Sequence, residues 1–251
     1  MKAFFLAWQF LTILPGKKGE REIAPHLWGR SMAFYPLIGL ILGLIIWSVY
    51  FLLVFFLPRN LADGLLLTLL IIFNGALHLD GLADTCDGLA FGKTAEERLR
   101  IMKDHRVGTF GVLSLIVILG MKFLSLNSLP DWSVMRILLL ALVLSRWSMV
   151  QMTYRAPYAR QEGGLGRAFK DSLGKKDMVL ATSFSLFLSF FLLRFWGMLL
   201  WLAVGIFTLG LQKFFEKKFN GFTGDTLGAT NELNEALVFI LASGLINILE
   251  L

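Results

Sequence analysis

Long apolar runs alternate along this chain with short, densely charged interruptions. Windows of roughly 17 to 25 apolar residues, the length a helix needs to cross a hydrocarbon core, fall at 31–57, 61–77, 107–126, 133–152, 178–193, 196–214 and 234–251. The pattern predicts about seven transmembrane helices. Two pairs of windows are joined by only Pro58, Arg59 and Asn60, and by Arg194 and Phe195, which predicts helical hairpins. The opening "MKAFFLAWQFLTILPG" is too short to span, and no small-residue cleavage pattern follows it. It is expected to be an interfacial or re-entrant segment that stays in the mature protein. No fixed-period repeat or low-complexity linker breaks the chain. The expected fold is all-α, a polytopic membrane bundle forming one domain over 1–251.

Composition agrees on the solvent. Hydrophobic residues make up 56% of the 251 and charged residues 17%, whereas a soluble domain carries about a quarter charged residues. The lone Cys86 excludes an intramolecular disulfide and a cysteine-based zinc site. The net charge of +6 matters less than where the cations lie, and nucleic acid is not an expected partner. Lys2, Lys17, Lys18, Arg21 and Arg30 precede the first window. Lys93, Arg98, Arg100, Lys103 and Arg106 follow the second. Six more basic residues lie in 153–177, and Lys213, Lys217 and Lys218 lie before the last window. Seven spans put all four stretches, nineteen of the 24 Lys and Arg, on one face. By the positive-inside rule that face is cytoplasmic. Lys122, Arg136 and Arg146 fall within windows. Arg146 lies about two turns deep and is expected to face a cavity or a partner, whereas Lys122 and Arg136 are expected to snorkel to the opposite interface.

The stretch "HLDGLADTCDG" places Asp80, Asp84 and Asp87 at the edge of the second window. On a helix they project within roughly a 60° arc, with neighbours about 6 Å apart. At an effective dielectric of 20 each adjacent pair repels by about 3 kcal/mol, which protons or a divalent cation must relieve. Carboxylate oxygens without a Cys or His framework suit Mg²⁺, which takes a few carboxylates together with substrate phosphate oxygens. His78 either joins this acidic site or hydrogen-bonds at the interface, and Cys86 reads as a packing residue. Further along, "ERLRIMKDHRVGTFG" gathers mixed charge before Gly108 and Gly111. Glu97 and Arg100 read as one face of a surface helix. Lys103, Asp104 and Arg106, beside the glycine-rich entry to the next window, suit a pyrophosphate and its metal. A second acidic patch, "NGFTGDTLGATNELNE", carries Thr223, Asp225 and Glu232 on a loop whose glycines let amides approach a ligand. The candidate set is therefore Asp80, Asp84, Asp87, Asp104 and Asp225 as catalytic residues, with the first three also holding metal. Lys103, Arg106, Arg146, Thr223 and Glu232 are the candidate substrate-binding residues.

"FLTILP" (Phe10 to Pro15), "HLDGLADTCDG", "ERLRIMKDHRVGTFG" and "GFTGDTLGATNE" resemble, in order, the signatures of the cobalamin synthase (adenosylcobinamide-GDP ribazoletransferase) family. One departure is His105, where that family pattern has a small residue. The resemblance implies a late step of vitamin B12 assembly in the bacterial inner membrane, with the site facing the cytoplasm. Adenosylcobinamide-GDP and α-ribazole, or its 5′-phosphate, would join with Mg²⁺ and release GMP. Three other readings compete: a membrane prenyltransferase, an enzyme like the CDP-alcohol phosphotransferases, and a cation transporter. A transporter normally places charge near the midplane between repeated halves. Homo-oligomerisation stays open.

Overall fold

The computed structural model describes residues 1–16, 23–104, 106–160 and 164–249. Lys17, Lys18 and Arg21 of the first basic stretch, His105, and the last two residues of the seventh window lie outside them. Eleven helices occupy the described residues: α1 (Lys2–Leu11), α2 (His26–Met32), α3 (Tyr35–Leu53), α4 (Arg59–Phe73), α5 (Leu77–Phe91), α6 (Ala95–Ile101), α7 (Thr109–Asn127), α8 (Asp131–Arg155), α9 (Leu165–Ser172), α10 (Lys175–Phe219) and α11 (Gly224–Leu249). The fold is all-α, as expected. Helix α1 is too short to span and buries Ala3, Leu6, Ala7 and Leu11 against the bundle, while the amide of Ile13 donates to the Phe73 carbonyl at 2.9 Å.

Helices α3, α7, α8 and α10 are long and apolar enough to cross a membrane, and α4 with α5 adds a fifth crossing if the 86° bend between them is counted within one span. The seven expected windows fall on α3, α4, α7, α8, the two legs of α10, and α11. The legs of α10 meet at Arg194, whose φ of 52° and ψ of −131° break the helix. Trp201 Nε1 donates to Ser185 Oγ at 3.1 Å, although sixteen residues of straight helix would separate the two by about 24 Å. The expected hairpin is therefore present, and Gly197 makes room for it: a Cβ there would lie 1.9 Å from the Ser189 carbonyl oxygen. The second window ends earlier than its apolar run suggested. Gly75 and Ala76 both take positive φ, 61° and 56°, and turn the chain out of α4 before the aspartates begin.

Helix α8 runs through the middle, with residues 137–153 buried. Helix α3 crosses it closely because Gly39 and Gly43 present no side chain. A Cβ at Gly39 would lie 2.4 Å from the Leu142 carbonyl oxygen, and one at Gly43 would lie 2.8 Å from Leu139 Cδ2. Small residues one turn apart are how helices approach without a hydrophobic drive between them.

Two polar clusters lock this apolar frame. In the first, Lys122 of α7 does not snorkel. It is 3% exposed, and its Nζ reaches Glu232 at 2.5 Å and Glu235 at 2.8 Å. Arg146 of α8 meets Glu235 at 2.6 Å and donates to Asn74 Oδ1 at 3.1 Å. Lys122 stays inside because α11 presents two carboxylates to it, one turn apart, so the interface offers nothing better. The second acidic patch is correspondingly helix rather than loop. Thr223 and Thr226 exchange backbone–hydroxyl hydrogen bonds of 2.8 and 3.2 Å, which opens α11 at Gly224 and carries Glu232 two turns inside. In the second cluster the fully buried Asp63 accepts from Tyr50 Oη at 2.9 Å, Arg59 Nε at 2.9 Å and Asn127 Nδ2 at 2.8 Å. Arg59 also pairs with Asp131, so α3, α4, α7 and α8 are tied at that end.

Breaking a buried pair from one side leaves a charge uncompensated and costs about 3–5 kcal/mol. Lys122→Met is therefore expected to lower the unfolding temperature in detergent strongly. Adding Glu232→Gln to Lys122→Met should recover part of the loss. A double variant no more stable than Lys122→Met would show that pairing is not what Lys122 contributes.

Candidate active site

Helices α5 and α11 touch backbone to backbone. A Cβ on Gly81 would lie 2.6 Å from the Asp225 carbonyl oxygen and 2.9 Å from its Cα, and one on Gly228 would lie 3.0 Å from the His78 carbonyl oxygen. This crossing sets Asp80 and Asp84 of α5 against Asp225 in the first turn of α11. Asp80, Asp225 and Asp87 all act electrostatically on the Asp84 carboxylate, so the two acidic stretches form one cluster. Asp80 is exposed, Asp84 half-buried and Asp87 buried.

Asp87 differs from its neighbours. Its Oδ2 accepts from the Gly108 amide at 2.6 Å and its Oδ1 from the Gly111 amide at 2.8 Å. It thereby satisfies donors at the start of α7 that have no partner within the helix. A Cβ at either glycine would come within 2.5 Å of the carboxylate. Among the described residues no three His, Cys, Asp or Glu side chains are arranged to hold a metal ion, so the α5 aspartates do not form a closed cage. The chemistry of the remaining set still fits Mg²⁺, which is commonly held by one or two carboxylates and completed by substrate phosphate.

Facing the cluster is a residue that sequence reasoning counted only as a loop charge. Arg160 Nη2 contacts Asp225 Oδ2 at 2.6 Å, and Thr223 Oγ1 donates to the same oxygen at 3.3 Å. The Arg160 segment is pinned by a short parallel bridge: Phe222 N donates to Pro157 O and Ala159 N to Phe222 O, both at 2.9 Å. Gly221, with φ of 146°, permits this approach, since a Cβ would lie 2.3 Å from the Pro157 carbonyl oxygen. Burial pushes the Tyr158 phenol above its ordinary value, with Arg160 working against that shift. The only sequence signal was the turn-rich "APYARQEGGLG" around Arg160.

Two hollows flank the Arg160–Asp225 pair. One, about 190 Å³, is lined by Phe10, His78, Asp80, Met149, Phe169 and Asp225 with six further apolar or glycine positions, Leu77, Leu165, Gly166, Gly224, Leu227 and Gly228. Phe10 brings the first of the quoted sequence stretches to this place. The other, about 380 Å³, is lined by Glu96, Leu99, Arg100, Lys103, Ala159, Arg160 and Asn220. Arg100, read from sequence as part of a surface helix, therefore belongs to a basic groove with Lys103. Glu97 holds its expected structural role. It completes a capping box with Thr94, and the amides of Lys93 and Thr94 keep its carboxyl below the ordinary carboxylate range.

Of the other candidates, Thr223 touches the cluster through Asp225, and the rest are placed elsewhere. Asp104 is exposed and accepts from the Arg106 amide at 3.1 Å. Neither it nor the exposed Arg106 lines the two hollows. Thr223 is fully buried as the cap of α11. Arg146 and Glu232 sit in the ion cluster and line neither hollow. His78 is 2% exposed, and neither ring nitrogen has a hydrogen-bond partner among the described residues.

A helical membrane bundle with an acidic cluster beside a basic groove has the architecture a membrane-embedded enzyme acting on phosphorylated substrates requires. The chain belongs to the cobalamin-5-phosphate synthase family, whose model matches residues 3–243. A protein of Geotalea daltonii named adenosylcobinamide-GDP ribazoletransferase is 40% identical over 94% of this chain and 95% of its own. A Pseudomonas putida protein of the same name is 40% identical over 98% and 100%, and one from Clostridium novyi is 34% identical over 96% of each chain. No solved structure matches significantly.

Gly81→Ala should push α5 off α11 and pull the two acidic elements apart. A displacement of about 1 Å at a reacting centre can cost on the order of 100-fold, so turnover should fall by about that factor while the protein still inserts. Gly120→Ala is the control, because a Cβ there meets nothing within 4 Å. Equal turnover in the two variants would remove the crossing from the catalytic account.

Proposed function

We propose that the protein joins adenosylcobinamide-GDP to α-ribazole, or to α-ribazole 5′-phosphate, and releases GMP. The observation that carries this reading is the Arg160–Asp225 contact, which places a basic groove and an acidic cluster on either side of one pair. The groove of Arg100, Lys103 and Arg160 suits the phosphates of the nucleotide-activated substrate, since guanidinium groups take phosphate oxygens two at a time. The second hollow, walled by Phe10, Met149 and Phe169 and bordered by Asp80 and Asp225, suits an acceptor with a flat aromatic base and a reactive hydroxyl. The hydroxyl oxygen bonds to the phosphorus next to cobinamide, the bond from that phosphorus to the GMP oxygen breaks, and the hydroxyl proton passes to a carboxylate of the cluster. Alignment and charge neutralisation dominate such transfers.

Asp80 and Asp84 would hold Mg²⁺, which supplies positive charge to the phosphate oxygens. Asp87 would position rather than ligate, because its oxygens already clamp the start of α7. The proposed site would face the cytoplasmic side of a bacterial inner membrane, a reading supported by the nineteen basic residues of the four loops. A prenyltransferase reading would require pyrophosphate release, and a transporter reading none at all.

Purified protein given adenosylcobinamide-GDP, α-ribazole phosphate and Mg²⁺ should release GMP, and chelation should stop it. Asp80→Asn, Asp84→Asn and Asp225→Asn should each cost roughly 10²–10³ in turnover. Asp80→Asn with Asp84→Asn should lose far less than the product of the two single losses, as residues acting as one unit do. Two mild effects that simply multiply would reduce the aspartates to solubilising charges at a helix end. For sidedness, cysteines introduced at 88–104 and 160–176 should resist an impermeant reagent applied to intact cells, and labelling of either stretch sinks the cytoplasmic assignment.

A further inference from the structure

At the opposite end of the bundle, the first turns of α8, the bend of α10 and the last part of α11 enclose a hollow of about 670 Å³. Its member Arg136 lies roughly 30 Å along α8 from Arg155, at the far end from the aspartates. The walls are apolar, with Ile137, Phe191, Leu200 and Leu245 among them, yet Arg136 and Arg194 both stand at the cavity. Both arginines are exposed, and neither pairs with a carboxylate among the described residues. Arg59, at the same end, is neutralised by Asp63 and Asp131. Cations are scarce at this end, so two unneutralised ones converging on one apolar cavity call for an anion.

The backbone supports the same conclusion. Arg194 holds φ at 52° with ψ at −131°, a region that glycine tolerates and side-chain-bearing residues avoid. Glycine would serve the bend better, so the arginine is there for its side chain. Trp132 and Trp196 also line the cavity, and tryptophan favours the headgroup level of a bilayer. The outward neighbours Phe187 and Phe195 are 65% and 61% exposed, as residues facing lipid are. We propose that this cavity is a binding site for an anionic phospholipid. Arg136 and Arg194 take the phosphate oxygens, and an acyl chain lies along the apolar wall. A soluble anion would have no use for that wall, and a zwitterionic lipid would bring no net negative charge to the two arginines.

The test uses the full-length protein in detergent micelles, offered phosphatidylglycerol or phosphatidylcholine, with bound lipid counted by native mass spectrometry. Phosphatidylglycerol should be retained about tenfold over phosphatidylcholine. Arg136→Gln and Arg194→Gly should each lower that retention about fivefold, and together bring it to the phosphatidylcholine level. Arg155→Gln, at the far end of α8, should leave it unchanged. Arg194→Gly also separates binding from folding, because glycine relieves the backbone. It should unfold no earlier than the parent protein in lipid-free detergent while losing the lipid. Equal retention of the two lipids, or undiminished phosphatidylglycerol in the double variant, overturns the proposal. Displacement of phosphatidylglycerol by millimolar inorganic phosphate overturns it too, since that would mark a site for a soluble anion.

Discussion

An ionised side chain inside an apolar bundle must find its opposite, and the rest of this structure hangs on how four of them do so. Lys122, Glu232, Glu235 and Arg146 formally cancel, and they come from three helices, α7, α11 and α8. Each pair restricts both depth and rotation. A slide of α11 by one turn, or a rotation by a third of a turn, would leave a carboxylate facing hydrocarbon at a cost of several kcal/mol. The cluster therefore works as a registration device. It sets the face that α11 turns toward α5, and with it the direction in which Asp225, ten residues earlier on the same helix, must point.

Glycine contacts convert this registration into a site. Gly81 and Gly228 let α5 and α11 meet through their backbones, so Asp80 and Asp84 come up beside Asp225 with no intervening side chain. Gly221 does the same for the Arg160 segment, which could not reach Asp225 if a Cβ stood between Phe222 and Pro157. Asp87 ties the start of α7, and hence the helix that carries Lys122, to the same α5. Site and frame thus share one connected set of contacts. A change at Gly81 or Gly108 is felt at the carboxylates although neither glycine has any chemistry of its own.

The two ends of the bundle solve different problems with the same residue type. At the aspartate end, Arg160 has a carboxylate partner and borders space for a phosphorylated ligand. At the other end, Arg59 is spent on tying helices together, whereas Arg136 and Arg194 keep their charge available beside an apolar cavity. Whether an arginine borders open space, rather than residue identity or pairing alone, separates those that tie helices together from those that can meet a ligand.

The all-α membrane fold, the hairpin at Arg194, the two acidic stretches and the family were legible along the chain. Each depends on local order: apolar run length, turn residues between runs, and motifs read within about fifteen residues. The fate of single charges was not. Lys122 read as a snorkelling residue and Glu232 as a ligand-binding loop residue, because their pairing joins positions 110 residues apart. Arg160 passed as one loop charge among six, and Arg100 as surface, because the groove they line exists only once α6 and the Arg160 segment meet. Asp87 looked like its two neighbours on the helix wheel, but the arrival of the Gly108 and Gly111 amides commits its oxygens elsewhere. Run length and motif spacing are properties of the chain itself, so sequence alone determined the class of protein and marked out its two acidic stretches. Which carboxylate stays open and which serves the frame depends on what packs against it, and that packing exists only in the folded molecule.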